Sequence, residues 1–486
     1  MSLPLVLAID LGTSSTRTAF FDAHGRRIVQ TTAQQTYPLL TSADGMAELE
    51  PGALLGAVKK CIAESLSHRR NDPVLKKLSI AGIGVSCFWH SIIGCNAKGD
   101  AITRVITWAD SRCREDAAVL RETLDEVEAH GRTGCMLRAS FWPAKLKWLR
   151  RVEERQFLRV GQWLSPAEWL QFQLAGDANC AIGMATGTGL FDPTTLKWDP
   201  AMLKAVGLSE KQLRPLSDEA TIVAGSLAQE YPELKGAQWF PGIGDGAASN
   251  LGSGATRPGF AAINVGTSAA IRTMREGPVA RAPFGLFCYR VDAKRTLVGG
   301  AVSNAGNLRA WCLRELKLTE GPEIEAALAA RPEPTHGLTV LPFWTAERAP
   351  TWNEDATGAI HGIRQSTTAI DLLQAITEAT YHRIARISDM LTADEKTSPK
   401  LIVSGGIQKS ASALQRLANV LGQTVYPNDE PEASLRGAAI YALEKLGFPI
   451  LSAKLVHGVR PAAKPTRLYA AEREKQVRLE KVLAVF

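Results

Sequence analysis

One short phrase occurs twice in this chain of 486 residues, and each copy ends a run typical of a β-strand. The first copy spans residues 10–18 after the apolar run 5–9, and the second spans 264–273 after 260–263. Both contain Gly-Thr-Ser directly after the strand. Such a turn leaves backbone N–H groups and hydroxyls free to bind a phosphate. Two such turns, far apart in sequence, predict two related lobes that grip one polyphosphate.

The two copies differ in their first residue, which is Asp10 in one and Asn264 in the other. An aspartate beside a phosphate loop repels the phosphate unless a cation intervenes, and Mg²⁺ is the natural one. We therefore predict that Asp10 serves the metal, its alternative role being to cap the turn. Asn264 is interpreted as a cap of its own turn. A basic residue follows in each copy, Arg17 in the first and Arg272 in the second. For Arg272, a structural ion pair is the alternative to binding phosphate.

The length and composition indicate an enzyme with two domains. A chain of 486 residues exceeds one ordinary domain, and 45% hydrophobic with 22% charged residues is typical of a globular protein. Glycines and small residues are concentrated between Pro241 and Gly259, directly before the second copy of the phrase. We therefore predict one domain over residues 1–250 and another over 251–486.

Charge and cysteine content argue against several classes of protein. The net charge of +7 is spread along the chain, which disfavours nucleic-acid binding. The eight cysteines are scattered and form no Cys-x-x-Cys pair, as expected of reduced thiols in a cytoplasmic protein. Residues 1–4 lead directly into a strand and no long apolar run follows, so neither a secretion signal nor a membrane span is expected.

Strand-like and helix-like segments alternate in both halves, which predicts an α/β protein. The main predicted elements are strands 78–87, 92–95 and 401–403 and helices 51–66, 371–391, 413–421, 434–446 and 470–486. The turn 404–406, Ser-Gly-Gly, either lets a nucleotide ring approach the backbone or is a plain tight turn. No P-loop is present, and no strand leads through Gly-x-Gly-x-x-Gly into a helix.

Taken together, these segments resemble the FGGY carbohydrate kinases over most of the chain. The matching segments are 10–14, 89–91, 106–112, 145–149, 242–246, 265–268, 347–350, 358–378 and 404–406. Their order and spacing are specific, although each one alone is not. Within the family the chain is most similar to the gluconokinases, through segments such as 107–110, 249–252 and 287–289, and next to the xylulokinases.

The resemblance implies two actin-like (ASKHA, ribonuclease H-like) domains with an interdomain cleft. The N-terminal domain would bind the sugar and carry the first phosphate loop, and the C-terminal domain would bind the nucleotide. The implied reaction is ATP-dependent phosphorylation of a sugar or sugar acid, with gluconate first and with ATP and Mg²⁺ required. Asp245 is the implied catalytic base, and its small neighbours allow two substrates to approach closely. The expected partner is a small sugar, and a homodimer is the expected assembly.

The resemblance also assigns the other site residues. The predicted substrate-binding residues are Trp89, His90, Trp108, Asp110 and Asp245. The predicted nucleotide-binding residues are Gly12, Thr13, Ser14, Arg17, Gly266, Thr267, Gly405, Gly406 and Gln408, with Asp10 as the metal ligand. Core packing is the alternative role for each tryptophan, since the chain has eleven of them. A structural role is likewise the alternative for His90.

Several alternatives stay open at this stage. Arg112, Arg138 and Lys145 are the candidate partners of a gluconate carboxylate, and the sequence does not choose among them. Xylulokinase activity is the alternative substrate assignment. A sugar sensor of the same fold without turnover, and a chaperone-like or actin-like ATPase, are the alternatives from other classes. Intact Asp10 and Asp245 argue against the sensor, and the polyol-site candidates argue against the ATPase.

Overall fold

A computed structural model describes residues 3–277, 281–331, 333–393, 395, 397–450, 455 and 457–483. The chain forms two compact units. Unit 1 comprises the described residues of 1–254, 275–297 and 432–453, and unit 2 comprises those of 255–274, 298–431 and 454–486. Each unit therefore gathers three separate segments of the sequence. The assignment of sugar binding to 1–250 and of nucleotide binding to 251–486 stays a prediction.

The strands are mostly short, and the longest ones build the two central sheets. They are β1 Leu5–Leu11, β2 Ser15–Phe21, β3 Ala33–Thr36, β4 Leu40–Thr41, β5 Ala47–Leu49, β6 Ile80–Cys87, β7 Ile93–Cys95, β8 Val105–Ile106, β9 Gln162–Leu164, β10 Phe191–Asp192, β11 Lys197–Trp198, β12 Thr221–Ile222, β13 Gln238–Trp239, β14 Ile243–Gly244, β15 Phe260–Val265, β16 Ala269–Glu276, β17 Phe287–Arg290, β18 Arg295–Val302, β19 Thr339–Leu341, β20 Ala359–His361, β21 Lys400–Ser404 and β22 Val425–Pro427.

The helices range from a single turn to more than twenty residues. They are α1 Pro51–Asn71, α2 Arg114–Thr123, α3 Glu126–Thr133, α4 Trp142–Val152, α5 Glu154–Arg159, α6 Pro166–Ala175, α7 Ile182–Ala185, α8 Pro200–Val206, α9 Gly225–Glu230, α10 Asp245–Ser253, α11 Gly306–Glu315, α12 Pro322–Ala329, α13 Ala369–Thr392, α14 Ala411–Leu421, α15 Ala433–Lys445 and α16 Ala463–Leu483.

The central sheet of unit 1 has the strand order β12-β13-β6-β1-β2-β3, and β14 also pairs with β6. β1 runs antiparallel to β2 and parallel to β6. β13 and β14 are parallel to β6 as well. Nearly every residue of β1 and β6 is buried, as is usual for strands covered on both faces. The carboxyl ends of β1, β6 and β14 therefore meet at one edge of the sheet.

Helix α15 approaches this sheet and α10 so closely that only glycine fits between them. A Cβ atom on Gly84 of β6 would lie 2.0 Å from the carbonyl oxygen of Ala438, and one on Gly437 would lie 1.8 Å from that of Ala248. Side chains are excluded at such distances, which explains the small residues on both sides of the contact. A helix from the far end of the sequence is in this way part of unit 1.

Unit 1 also contains helices α2 to α8, and all of these except α6 contribute to a second hydrophobic core. Trp142, Trp163 and Phe191 are among its large buried side chains. Helix α6 begins with a capping box, in which the Ser165 N–H donates to Glu168 at 2.7 Å and the Glu168 N–H donates to Ser165 Oγ at 3.3 Å. Trp142 and Trp163 therefore have the packing role that was the alternative for every tryptophan.

The sheet of unit 2 repeats the arrangement found in unit 1. Its strands follow the order β18-β16-β15-β21-β22. β15 is antiparallel to β16 and parallel to β21, and β21 is parallel to β22. A hairpin whose first strand also pairs with a later parallel strand is the arrangement of β1, β2 and β6. The doubled phrase thus marks the same hairpin in two sheets.

The predicted α/β class is confirmed, and the main predicted elements are present. They correspond to α1, α13, α14, α15, β6, β7 and β21. The helix predicted from residue 470 begins earlier, at Ala463, because Pro465 is tolerated in a first turn whose N–H groups have no helical partner. Its predicted end at 484–486 lies outside the described residues. Within the described part of the chain, no helix has both the length and the hydropathy needed to cross a membrane.

Candidate active site

Asp10 lies at the end of β1 between a basic residue and a hydroxyl. The strand registers place Arg17 of β2 opposite Asp10 on one side and Ser86 of β6 on the other. Thr16 Oγ1 donates a hydrogen bond to the Asp10 carbonyl at 3.1 Å. The Arg17 guanidinium also pairs with Glu432 at 3.6 Å. Arg17 therefore faces carboxylates in this structure, and its role toward a phosphate stays a prediction.

Asp245 is the first residue of α10 and follows β14 directly. In the register of β14 with β6, Ile243 stands opposite Ser86. The Gly246 N–H donates a hydrogen bond to Asp245 Oδ1 at 2.7 Å. The parallel strands therefore carry Asp10 and Asp245 to the same edge of the sheet, one on each side of β6. Open α/β sheets usually bind ligands at this edge.

The electrostatics at Asp10 suit a divalent cation. Burial raises the pKa of Asp10 to about 6, and the carboxylates of Asp245 and Glu432 act in the same direction. The nearby Ser86 hydroxyl and the Arg17 guanidinium lower this pKa. The Ser86 side chain is fully buried, and no group among the described residues accepts or donates a well-formed hydrogen bond at its hydroxyl. A cation would relieve the repulsion between the carboxylates, so these residues fit Mg²⁺.

The metal would need water and phosphate oxygens to complete its coordination. Among the described residues, no cluster of three or more histidines, cysteines, aspartates or glutamates could hold an ion by itself. Mg²⁺ usually keeps several waters and binds through one or two carboxylates together with substrate phosphates. The single carboxylate of Asp10, with Asp245 on the other side of β6, agrees with this mode of Mg²⁺ binding.

The first Gly-Thr-Ser turn closes the hairpin of β1 and β2. The Gly12 N–H donates to the Ser15 carbonyl at 2.9 Å. Tyr37 holds the turn from one side, since its hydroxyl donates to the Gly12 carbonyl at 2.5 Å and its N–H donates to the Ser14 carbonyl at 3.1 Å. Burial raises the pKa of Tyr37, so its phenol stays protonated and remains a donor. Sequence reasoning missed Tyr37, because only tertiary contact brings it to the turn.

The second Gly-Thr-Ser turn closes the hairpin of β15 and β16. The Gly266 N–H donates to the Ser268 carbonyl at 2.9 Å. Here the first residues of α11 hold the turn, since the Gly306 N–H donates to the Gly266 carbonyl at 2.9 Å and the Asn307 N–H to the Thr267 carbonyl at 3.1 Å. A Cβ atom on Gly306 would lie only 2.5 Å from the Gly266 oxygen.

Asn264 binds the neighbouring strand through its side chain. Its Nδ2 donates a hydrogen bond to Ser404 Oγ at 3.1 Å, and the two residues face each other in the register of β15 with β21. Gly405 follows with φ of +94°, and a Cβ atom there would lie 2.5 Å from the Val265 carbonyl oxygen. Glycine is therefore required where this turn meets the second Gly-Thr-Ser turn. The structure gives Asn264 a strand-to-strand contact instead of the expected cap.

The predicted nucleotide-binding residues of unit 2 thus lie in two adjacent turns. Gly405 and Gly406 lead into a short 3₁₀ turn over Gly406–Lys409 that contains Gln408. Gly406 is exposed, and Gln408 is half-buried. Their contacts with a nucleotide stay a prediction.

The two arginines of the doubled phrase are not equivalent in position. Arg17 stands opposite Asp10, whereas Arg272 stands opposite Ala262 and not opposite Asn264. Two differences of one residue add up here. The second hairpin loop, 266–268, is one residue shorter than the first, 12–15, and Arg272 lies eight residues after Asn264 whereas Arg17 lies seven after Asp10.

Trp89 packs against β14, the strand that leads into Asp245. The side chain is 5% exposed, and its Nε1 donates to the Gly183 carbonyl at 2.8 Å. A Cβ atom on Gly244 would lie 1.7 Å from Trp89 Cε2, and one on Gly187 would lie 2.4 Å from Cδ1. The indole therefore fills the space between these glycines. This contact gives Trp89 a packing role, and direct sugar contact stays a prediction.

His90 has a left-handed backbone with φ of +65°, which is unusual for a residue with a side chain. Its Nδ1 lies 2.5 Å from the Gly187 carbonyl oxygen, and the ring is half-buried. The ring centroids of Phe141 and Tyr289 lie 4.6 and 5.7 Å away in edge-on geometry. Sequence reasoning did not assign these two aromatics to the site, and the matching segment 287–289 was the available signal for Tyr289.

Trp108 and Asp110 lie on the loop after β8. The Trp108 N–H donates to Ser91 Oγ at 3.0 Å, and its side chain is half-buried. Asp110 is 1% exposed and accepts hydrogen bonds from the Ala47 N–H at 3.0 Å and from Arg112 Nη2 at 2.7 Å. Asp110 thus forms a buried ion pair, and its predicted contact with a sugar stays untested.

All three candidate partners of a gluconate carboxylate are bound to other groups of unit 1. The partners are Glu48 and Asp110 for Arg112, Glu126 for Arg138, and the carbonyls of Ala139 and Ser140 for Lys145. Lys145 is completely buried. A substrate carboxylate would have to share or displace these groups.

Two family models match the chain over most of its length. They describe the N-terminal domain of the FGGY family of carbohydrate kinases over residues 5–252 and its C-terminal domain over 261–444. A gluconokinase of Bacillus subtilis (strain 168) is 27% identical, and the match covers 91% of this chain and 88% of that protein. A xylulose kinase of Haemophilus influenzae is 24% identical, with 90% of each chain covered.

Solved structures show the same fold. A gluconate kinase from Lactobacillus acidophilus matches with a TM-score of 0.90 over 99% of both chains, at 24% sequence identity. The predicted α/β fold of a two-domain FGGY kinase is confirmed by this likeness together with the two family models. On the evidence of both family models, the chain belongs to the FGGY family of carbohydrate kinases and is a phosphotransferase.

Proposed function

We propose that this kinase transfers the γ-phosphate of ATP to gluconate and forms 6-phosphogluconate. The observation that supports the transfer is the placement of Asp245 and Asp10 at one edge of the unit 1 sheet, on either side of β6. The choice of gluconate is supported by similarity to proteins named gluconokinase, at 27% and 26% identity.

Asp245 is proposed as the general base. Its carboxylate accepts the proton of the attacking sugar hydroxyl while that oxygen forms a bond to the γ-phosphorus and the bond to the ADP oxygen breaks. The backbone N–H of Gly246 holds one carboxylate oxygen at 2.7 Å and so fixes the orientation of the group. The packing of Trp89 against Gly244 holds the residue just before the base.

Asp10 is proposed as the protein ligand on the metal side, directly or through water. When bound, Mg²⁺ would neutralise charge on the transferring phosphate. Asp10 supplies a carboxylate whose buried position disfavours ionisation without a cation. Ser86 adds a buried hydroxyl at the same level of the sheet.

The remaining site residues are proposed to bind the nucleotide and the sugar. Gly12, Thr13, Ser14 and Arg17 in unit 1 would contact phosphate, and Gly266, Thr267, Gly405, Gly406 and Gln408 in unit 2 would contact the nucleotide. His90 and Trp108 are the half-buried candidates for the sugar. Trp89 and Asp110 would support them from buried positions.

Phosphorylation of a neutral ketose such as xylulose is the second candidate. It is favoured by the observation that Arg112, Arg138 and Lys145 already bind protein groups. A neutral sugar needs no cationic partner, whereas a sugar acid does. Similarity to xylulose kinases at 24% and 25% identity supports the same candidate.

A coupled assay of ADP release tests both candidates. The purified full chain is supplied with MgATP and, in turn, with gluconate, xylulose, ribulose, glycerol or fuculose. We expect the highest kcat/KM with gluconate. A highest value with xylulose would favour the second candidate. If the protein binds MgATP but turns over none of the five sugars, the sugar-sensing alternative replaces both.

A further inference from the structure

The first phosphate loop has its peptide groups oriented by a residue outside the doubled phrase. In a trans peptide the C=O of one residue and the N–H of the next point in opposite directions. Because the Gly12 carbonyl accepts a hydrogen bond from the Tyr37 hydroxyl, the Thr13 N–H points away from Tyr37. Because the Ser14 carbonyl accepts the Tyr37 N–H, the Ser15 N–H also points away. Two donors of the loop are thereby turned to the side opposite Tyr37.

We propose that Tyr37 is a positioning residue for phosphate binding, and this inference rests on the proposed role of residues 12–15 as a phosphate loop. Without the phenol hydroxyl, the 12–13 peptide loses the bond that fixes its orientation. The Tyr37 hydroxyl lies 2.5 Å from the Gly12 carbonyl oxygen, and Tyr37 is only 7% exposed. Water therefore cannot readily replace the hydroxyl. The Tyr37 N–H bond to Ser14 is a backbone contact and survives a change of side chain.

The second loop uses a different device for the same purpose. The Gly266 and Thr267 carbonyls accept the N–H groups of Gly306 and Asn307 at 2.9 and 3.1 Å. The N–H groups of Thr267 and Ser268 are therefore turned away from α11, by the same trans-peptide geometry. A helix start holds the turn in unit 2, and the Tyr37 side chain holds it in unit 1. A change at Tyr37 should consequently affect only the first loop.

Tyr37→Phe tests the inference, with Tyr231→Phe as the matched control. Tyr231 is also buried in unit 1, and its hydroxyl donates to Glu230 at 2.9 Å, outside the loop. We expect Tyr37→Phe to weaken MgATP binding about three- to tenfold, which corresponds to one lost neutral hydrogen bond. Adenosine has no phosphate, so its binding should change by less than about twofold. The control should leave both affinities unchanged.

Equilibrium binding of MgATP and of adenosine, KM values for the sugar and for MgATP, and thermal unfolding are measured for each variant. Unchanged MgATP affinity in Tyr37→Phe, or equal weakening of MgATP and adenosine, would overturn the inference. A variant with Thr13→Ala separates the two proposals. If it raises the KM for MgATP while Tyr37→Phe does not, the loop stands and the role of Tyr37 fails. If neither variant has an effect, the loop assignment itself fails.

Discussion

The side-chain amide of Asn264 donates a hydrogen bond to Ser404 Oγ at 3.1 Å, at the register position that Asp10 and Ser86 occupy in the other sheet. In both sheets a residue of the first hairpin strand faces a serine of the parallel strand. One pair contains a carboxylate and the other a neutral amide. The repeated strand arrangement therefore carries two chemically different sites.

Asn264→Asp should weaken MgATP binding about tenfold or more, because a half-buried carboxylate beside the second loop repels a polyphosphate. Asn264→Ala only removes one hydrogen bond and should weaken MgATP binding about fivefold. The KM for the sugar should stay within about twofold of wild type in both variants. Nucleotide titrations and steady-state kinetics provide the comparison. Equal effects of the two variants would show that charge at this position is unimportant.

Asp245→Asn should lower kcat by at least about a hundredfold, since it keeps the shape of the side chain and removes the proton acceptor. MgATP should still bind with nearly wild-type affinity. Asp100→Asn, a change at an exposed aspartate of the same unit, is the control and should retain full activity. Rapid-quench or coupled assays measure the rate. Retention of more than a few percent of activity in Asp245→Asn would remove Asp245 from the role of base.

Activity at low Mg²⁺ should decline as the pH falls through about 6, because Asp10 is then protonated. Activity falls toward low pH because the Asp10 carboxylate is charged above its raised pKa and neutral below it. Bound Mg²⁺ favours the charged form, so raising the Mg²⁺ concentration should move the decline to lower pH. Profiles of kcat/KM for ATP at several Mg²⁺ concentrations measure the shift. In Asp10→Asn the position of any decline should no longer depend on Mg²⁺, and a shift that persists would assign the metal to other groups.

Gly244→Ala should destabilise unit 1 by about 1–3 kcal/mol, because the new Cβ atom meets a closely packed ring. It would lie 1.7 Å from Trp89 Cε2. Gly56→Ala in α1 is the control, since a Cβ atom there has no neighbour within 4 Å. That change should be neutral or should stabilise the helix by up to about 1 kcal/mol. Urea unfolding followed by tryptophan fluorescence compares the variants, and equal midpoints for the two would contradict the packing described for Trp89.

Much of the fold and the centre of the candidate site could be predicted from local sequence. The runs 5–9 and 260–263 are short and apolar, and each is followed by turn residues, so both hairpins and their loops were recognisable. The helical spacing of apolar residues predicted α1 and α13. Family resemblance, and not spacing, selected Asp245. The hairpins and helices depend on residues that are near one another in the chain, whereas the resemblance depends on segments spread over most of it.

Other features arise only when distant segments pack together. Tyr37 reaches the first loop through strand pairing of β2 with β3, and Glu432 reaches Arg17 from more than four hundred residues away. The segment 275–297 and helix α15 complete unit 1, and the former brings Tyr289 to His90. No local pattern encodes such contacts, because they depend on which surfaces are buried against each other.

The doubled Gly-Thr-Ser phrase by itself determined that the chain has two similar strand hairpins, and it predicted phosphate binding at their turns. Sequence also fixed the charge difference between Asp10 and Asn264, since charge belongs to the residue. Only the tertiary structure decided which residue faces Asp10 and which faces Asn264, because loop length sets the register of each hairpin. It also decided what holds each turn, since those hydrogen-bond partners come from segments that meet only in the folded chain.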